Sequence, residues 1–274
     1  MTSMSTPDIN PKDVMELRRR TGLGMMDCKK ALAENGGDMK KAEAWLREKL
    51  KDKMDSRTDR AAGEGCVAVA IKGDRAAIVE MRSETDFTSR NAEFRAMADA
   101  VAAEATSQSG AVSATPSITA KVDEVRIKTG ENVSFARGQA LSGGSFARYI
   151  HHDGKLGVLM QYEGDIKPED AAGICLHIAG AVPTPIAVDE SGLPKEVVDE
   201  KRKAAMEEAK ATGKPEQVAQ KIAEGKLRKF FEENTLLGQT YLKDPDGKTI
   251  VKQLVPAGAK IVRFVRLRVG ESAG

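Results

Sequence analysis

The sequence predicts an α+β protein built from several compact units. The first fifty residues contain three short helical patterns separated by glycines. Two later stretches each pair apolar, strand-like runs around a polar turn, and a helical pattern follows each pair. Near residues 194–234, two charged helical patterns flank a Gly-Lys-Pro turn, which predicts an antiparallel helical hairpin. At 274 residues, the chain is long enough for two or three domains.

The N-terminal helices are marked by capping residues. Asn10 can cap the first helix, with Pro11 at its first position, and Gly22 ends it. A second helix is predicted at about residues 25–35, and Asp38 caps a third. The third helix is expected to bury Ala42, Trp45 and Leu46. So small a bundle holds only a marginal core.

The composition changes after the third predicted helix. Residues 51–65 are charged and poor in apolar side chains, so they predict a tether. Strands are predicted at 66–71 and 76–81, forming a β-hairpin. Residues 83–90 then form a loop before a helix at about 91–106.

The same order of elements recurs further along the chain. Strands are predicted at 146–151 and 156–162, followed by a helix at about 168–181. Residues 77–79 also match residues 157–159, which suggests two related units. The remaining predictions are a loop at 107–119, a strand at 130–137, helices at 194–212 and 216–234 with the second interrupted by Gly225, and a final strand at 261–269.

Composition excludes several classes of function. The 43 basic and 41 acidic residues leave a net charge of +2, too balanced to expect direct nucleic-acid binding. The isolated cysteines have neither a disulfide framework nor metal-ligand spacing, so we expect no metal and a reducing, cytoplasmic location. The polar N-terminus and the lack of a long apolar run predict no membrane partner.

The sequence contains no convincing motif for catalysis or for nucleotide binding. No phosphate-binding loop is present, and the Gly-x-Gly-x-x-Ala pattern at 63–68 precedes a strand instead of joining a strand to a helix. His151 and His152 are adjacent, so on a strand they would point to opposite faces. His177 is predicted to be a hydrogen-bonded packing residue. We therefore expect no cofactor and no enzymatic activity.

Two segments are candidates for function, and each has two interpretations. In residues 17–32, Met25 and Met26 fit a helix cap followed by core methionines and a flexible apolar contact surface equally well. In residues 83–87, Phe87 projects from a loop or is buried while Asp86 or Ser89 caps the helix. The residues alone favour burial, because loops usually bury their aromatic side chains.

Several motifs in order resemble one known family. They are residues 21–32 (TGLGMMDCKKAL), 85–87 (TDF), 130–132 (GEN), 213–215 (GKP), 239–245 (QTYLKDP) and 263–266 (RFVR). Over nearly its whole length, the chain resembles elongation factor Ts, the exchange factor for the GTPase elongation factor Tu. The resemblance implies a three-helix, ubiquitin-associated-like domain, two related α+β core subdomains and a protruding antiparallel helical hairpin. The implied divisions are 1–55 for the helical domain and tether, 56–145 for the first subdomain, 146–190 with 236–274 for the second, and 191–235 for the hairpin.

The resemblance also implies a mechanism. Such a factor binds elongation factor Tu with GDP, in a 1:1 or 2:2 complex, and promotes GDP release so that GTP can rebind. Its implied contacts are Thr85, Asp86, Phe87 and Thr88 at the Mg²⁺ and phosphate site, Arg18, Met25 and Met26 in the N-terminal domain, and either His151 or His152 in the core. The main rival is an interaction protein with a different partner, whose core serves as a scaffold.

Overall fold

The computed structural model describes residues 9–55, 57–213 and 215–271. Its N-terminal domain contains α1 (Pro11–Thr21), α2 (Met25–Glu34) and α3 (Met39–Asp55). The predicted caps are confirmed, because the Asn10 side chain accepts a hydrogen bond from the Lys12 amide and Asp38 accepts one from the Lys41 amide. The bundle buries one apolar cluster, formed by Val14, Leu17, Leu23, Cys28, Ala31, Leu32, Ala42 and Leu46.

The rest of the described chain contains the strands, the other helices of the core and the helical hairpin. They are, in chain order, β1 (Glu64–Lys72), β2 (Arg75–Ser83), α4 (Asp86–Arg90), α5 (Ala92–Ala105), β3 (Gly110–Ala111), α6 (Pro116–Thr129), β4 (Ser134–Ser142), β5 (Ser145–Ile150), β6 (Leu156–Glu163), α7 (Pro168–Gly180), α8 (Lys195–Ala211), α9 (Glu216–Asn234) and β7 (Lys260–Arg268). Short 3-10 helices lie at Glu190–Gly192, Leu236–Gly238 and Val251–Leu254.

Two antiparallel sheets organise the core. The first has the strand order β1-β2-β4-β3 and the second has the order β5-β6-β7. In each sheet, the second strand of the hairpin is paired on both sides, as β2 is by β1 and β4 and β6 is by β5 and β7. The residue match between 77–79 and 157–159 therefore falls on equivalent strands. The α+β class and the two related units are confirmed.

The sheets pack against each other, and helices cover their outer faces. Alternation along β1 sends Val67 and Val69 into the cluster between the sheets, while Cys66 and Ala68 face the cluster formed with α5 and α6. On the second sheet, α7 packs against the face that contains Met160. The result is a four-layer core, in which the two sheets lie between two layers of helices.

The predicted helical hairpin is present as α8 and α9. Small side chains form its interface, so the helices can approach closely: Ala205, Ala209, Ala219 and Ala223. The expected interruption at Gly225 is wrong, because α9 is continuous through that residue. Residue Lys214 of the predicted turn lies outside the described residues.

Three other expectations need correction. The predicted tether at 51–65 is helical through Asp55 and enters β1 at Glu64. The predicted loop at 107–119 contains β3 and the start of α6, where Thr115 provides the N-terminal cap. Within the predicted strand at 130–137, β4 begins only at Ser134.

Polar contacts join the N-terminal domain to α6. Arg126 forms an ion pair with Asp55 at 3.3 Å, and Lys51 forms one with Asp123 at 3.5 Å. Ile127 adds an apolar contact to the N-terminal cluster. Among the described residues, Ile127 is the one α6 side chain in this apolar cluster, and the other named contacts at the junction are ion pairs.

Candidate functional site

Phe87 protrudes from a short helix. Its side chain is 86% exposed, and it is the one aromatic residue among the large apolar side chains exposed in the described ranges. The helix is α4, which spans five residues, so the prediction of a loop is wrong here. The interpretation that buries Phe87 is wrong because of this exposure. Its cap assignment is wrong as well, since Asn91, and neither Asp86 nor Ser89, caps the following helix α5, while Thr85 caps α4.

A distant carboxylate anchors the start of α4. Glu131 Oε1 accepts a hydrogen bond from Thr85 Oγ1 at 2.6 Å, and Glu131 Oε2 accepts one from the Thr85 amide at 3.1 Å. The Thr85 hydroxyl oxygen in turn accepts a hydrogen bond from the Thr88 amide. Because the Thr85 hydroxyl donates its hydrogen bond to Glu131, its oxygen lone pairs accept from the Thr88 amide and cap the helix.

The residue after Glu131 fixes two further segments. The Asn132 amide donates to Glu84 Oε1 at 2.7 Å, just before Thr85. The Asn132 side chain donates to the carbonyls of Thr58 and Arg60, at 3.0 and 2.7 Å, in the connection from the N-terminal domain. Asn132 is buried. The motif at 130–132 therefore joins the start of α4 to the interdomain connection.

The rest of α4 divides into an exposed and a buried side. Thr88 and Ser89 are 7% and 3% exposed, so they face the protein while Phe87 faces solvent. Asp86 is half-buried and forms an ion pair with Arg90 at 3.3 Å. Of the four predicted contact residues in 85–88, only Thr88 is buried.

The turn after β5 is linked to α4 through one arginine. Arg95 Nε donates to the Ser89 carbonyl at 3.4 Å. A Cβ atom added at Gly154 would lie 3.5 Å from Arg95 Nη2, so the guanidinium lies against this turn. The structure thereby places the turn that contains His151 and His152 close to the C-terminal end of α4.

The two adjacent histidines are not on a strand. Because β5 ends at Ile150, His151 and His152 lie in the turn, and their ring centroids are 4.3 Å apart. The expectation of opposite faces is therefore wrong. His151 Nδ1 shares a hydrogen bond with the Tyr149 hydroxyl at 2.9 Å, while His152 is exposed. Both rings remain candidates for contact with a partner.

The N-terminal candidates form an exposed surface at the α1–α2 junction. Met25 and Met26 are 47% and 75% exposed, so they are not core residues. Hydrogen bonds from Arg19 and Arg20 lower the pKa of Glu16 to about 2. Arg18 is exposed and has no ion pair within the described ranges. This surface therefore combines flexible apolar side chains with a cation.

The motif at 239–245 has a structural role. Buried His177 accepts a hydrogen bond at Nδ1 from the Leu242 amide and shares one at Nε2 with Gln239. The prediction that His177 is a packing residue is confirmed. Hydrogen bonds from the amides of Thr249, Asp246 and Lys248 lower the pKa of Asp244, which therefore fixes the loop as a carboxylate.

The three cysteines are buried and free. Burial raises the pKa of Cys66 and of Cys175 to about 12, so these thiols stay protonated and unreactive near neutral pH. Across the described residues, no group of three or more His, Cys, Asp or Glu side chains could hold a metal ion. None of the described helices is long and apolar enough to cross a bilayer.

The sequence predicts residues 130–132 as the start of a strand and as part of the family resemblance, but it assigns no role to Glu131. Thr85 and Glu131 are 46 residues apart, and no local pattern connects them. The usable signal was a polar Gly-Glu-Asn run directly after a helix, where Gly130 adopts a φ of 71° as the helix cap.

Comparisons with known proteins agree along the chain. A family profile described as "Elongation factor TS" matches residues 84–271, and one described as "Elongation factor Ts, mitochondrial, N-terminal" matches residues 2–53. Elongation factor Ts of Thioalkalivibrio sulfidiphilus is 42% identical over 271 residues, covering 94% of this chain and 91% of the relative. Elongation factor Ts of Thiobacillus denitrificans is 42% identical over 275 residues, covering 96% and 93%.

Proposed function

This chain belongs to the elongation factor Ts family, and from that membership we propose that it binds the GTPase elongation factor Tu with GDP and accelerates GDP release. The vacated site then takes up GTP. The chain itself performs no chemical step, so its effect is exerted on the nucleotide site of its partner. The location we assign to it is the cytoplasm, where translation takes place.

The observation that carries this proposal is the exposed Phe87 on an anchored helix. Aromatic side chains are enriched where proteins meet, because they bury a large area at little entropic cost. Asp86 precedes Phe87 and adds a carboxylate. An apolar ring beside an acidic group is suited to displacing a loop and competing with the ligands of a bound cation.

The target of this pair is the Mg²⁺ and phosphate site of the GTPase. Mg²⁺ bridges the phosphate oxygens and neutralises their charge, so disturbing its ligands weakens GDP. The factor needs only to bind the nucleotide-free GTPase more tightly than the GDP-bound form. Linkage then makes GDP and the factor mutually antagonistic. Thr88 is buried beneath the exposed surface, and we assign it a supporting role.

Two further surfaces complete the proposed contact. The N-terminal domain binds the GTPase through the exposed surface that contains Arg18, Met25 and Met26. His151 and His152 lie in the turn that Arg95 links to α4, which allows them to contact the same partner. Docking through several surfaces raises the effective concentration of Phe87 at the nucleotide site.

The test is release of labelled GDP from elongation factor Tu, with and without this protein. We expect acceleration by the wild type and a large loss with Asp86→Ala combined with Phe87→Ala. Val182→Ala is the matched control, since Val182 is 97% exposed and lies in another part of the fold. Binding without accelerated release would favour the rival function of an interaction scaffold. Full exchange by a well-folded double variant would refute the role of Phe87.

A further inference from the structure

The helix that presents Phe87 cannot be rigid by itself. Helix nucleation is unfavourable, and isolated helices shorter than about 12–15 residues are marginal in water. Helix α4 has five residues. Its order must therefore come from contacts with other parts of the protein. At its N-terminal end, one acidic side chain makes two of these contacts.

That side chain is Glu131, which binds both donors of Thr85. Hydrogen bonds to an ionised carboxylate are about twice as strong as neutral ones, and two of them also fix orientation. The pair holds the residue that caps α4, two positions before Phe87. The Glu131–Thr85 pair therefore holds the first turn of α4, from which Phe87 projects.

Glu131 is itself on a well-anchored segment. Its amide donates to Thr129 Oγ1, and the carbonyl of Gly130 accepts a hydrogen bond from Arg57 Nη1 at 2.7 Å. On its other side, Asn132 is 7% exposed. The carboxylate thus projects from a fixed backbone, while its own side chain is only half-buried and contributes little to the core.

We propose that Glu131 is a positioning residue for nucleotide exchange, which fixes α4 so that Phe87 meets the GTPase already ordered. This inference rests on the proposed function. A helix that must become ordered during insertion loses conformational entropy at that step. The maximal rate of GDP release should then fall, while initial docking through the N-terminal surface remains.

The experiment measures GDP release from elongation factor Tu over a range of concentrations of the full-length protein. For Glu131→Ala, we expect the maximal rate to fall about tenfold, the change that ~1.4 kcal/mol produces, with little change in the half-saturating concentration. Thr85→Val removes the hydroxyl that both donates to Glu131 and caps α4, so it should lower the rate at least as much. Glu131→Gln keeps an acceptor oxygen and should recover part of the rate.

A second variant separates positioning from general damage. In a Phe87→Ala background, Glu131→Ala should cause almost no further loss, because there is no ring left to position. Damage to the fold would instead lower the rate in both backgrounds. Glu93→Ala is the matched control, since Glu93 is exposed and, among the described residues, its side chain pairs with Lys128 alone, at 3.4 Å.

The outcomes separate the two proposals. If the wild type does not accelerate release, or if Phe87→Ala matches the wild type, the proposed function or the role of Phe87 fails. If Phe87→Ala is impaired but Glu131→Ala behaves as the wild type, only the positioning role is overturned. Equal rate losses from Glu131→Ala in both backgrounds would also overturn it.

Discussion

Gln239 and His177 share a hydrogen bond of 2.9 Å between Oε1 and Nε2 inside the second core subdomain. Because the Leu242 amide donates to Nδ1 of the same ring, the network assigns the proton to Nε2 and makes the ring neutral. Gln239 also donates to the carbonyls of Pro183 and Glu233, at 2.8 and 2.7 Å. The neutral imidazole therefore binds residues 239–242 to α7, and the Gln239 side chain extends the network to Pro183 and to the end of α9.

The stability of the protein should fall as the pH drops below neutrality. Burial lowers the pKa of His177, so the unfolded chain binds a proton at a higher pH than the folded one. The stability contributed by neutral His177 is fully present above the pKa of an unfolded histidine, about 6.5, and is lost as the pH falls towards the pKa of the folded state. Each unit by which folding lowers this pKa corresponds to about 1.4 kcal/mol. Urea unfolding from pH 7.5 to 5 measures this slope. His177→Gln should flatten it, and an unchanged slope would contradict the assignment.

Gly157→Ala should destabilise the contact between the two sheets. An added Cβ would lie 2.5 Å from Val67 Cγ1 and 2.9 Å from Ile150 Cδ1. Such overpacking costs about 1–3 kcal/mol, which thermal unfolding would detect. Gly225→Ala is the control, because nothing lies within 4 Å of its added Cβ, and it should stabilise α9 by about 1 kcal/mol.

Glu80→Ala should weaken the junction between β2, β4 and the end of β7. Glu80 is 2% exposed, pairs with Arg137 at 2.7 Å and accepts a hydrogen bond from the Gly270 amide at 3.1 Å. Breaking a fully buried pair costs about 3–5 kcal/mol, and we expect about 2–3 kcal/mol here because Arg137 is partly exposed. Glu163→Ala, at an exposed pair, should cost less than about 1 kcal/mol in the same urea experiment.

Met25→Ser combined with Met26→Ser should weaken binding to elongation factor Tu without changing the melting temperature. Both side chains are exposed, so the folded domain loses little, while a partner surface loses apolar contact area. Loss of a side chain near the centre of an interface costs about 1 kcal/mol or more of binding free energy. Calorimetry resolves a change of this size. Val182→Ser controls for the loss of any exposed apolar group. Unchanged affinity of the double variant would place the contact elsewhere.

The isolated protein should bind neither GDP nor GTP. Its glycine pattern at 63–68 runs into β1, which pairs with β2 from Glu64 onward, so these residues do not form a phosphate-binding turn at the start of a helix. Linkage requires that the factor by which the protein weakens GDP on elongation factor Tu equals the factor by which GDP weakens the protein. Calorimetry can measure both factors, and unequal values or direct GDP binding would contradict the exchange model.

The sequence also contains the pattern of α6, which begins within the predicted loop at 107–119. Helix α6 buries Ile118, Val122 and Val125, at helical spacings of four and three, after a Thr115-Pro116 start signal. Its first residues are small and polar, which favours a loop, although the spacing of its apolar residues indicates a helix. Gly225 predicts a break where α9 is continuous. One glycine in a helix costs only about 1 kcal/mol, which neighbouring contacts offset.

The sequence by itself determined the helices with clear caps, the two hairpins, the helical hairpin and the family resemblance. These features depend on backbone hydrogen bonding and apolar periodicity within a few residues, as at Asn10 and Gly22. Only the tertiary structure decided that Phe87 is exposed, that His151 and His152 share a turn, and that Glu131 holds Thr85. Exposure and side-chain pairing arise when segments distant in sequence meet, here 46 residues apart, so no local pattern specifies them.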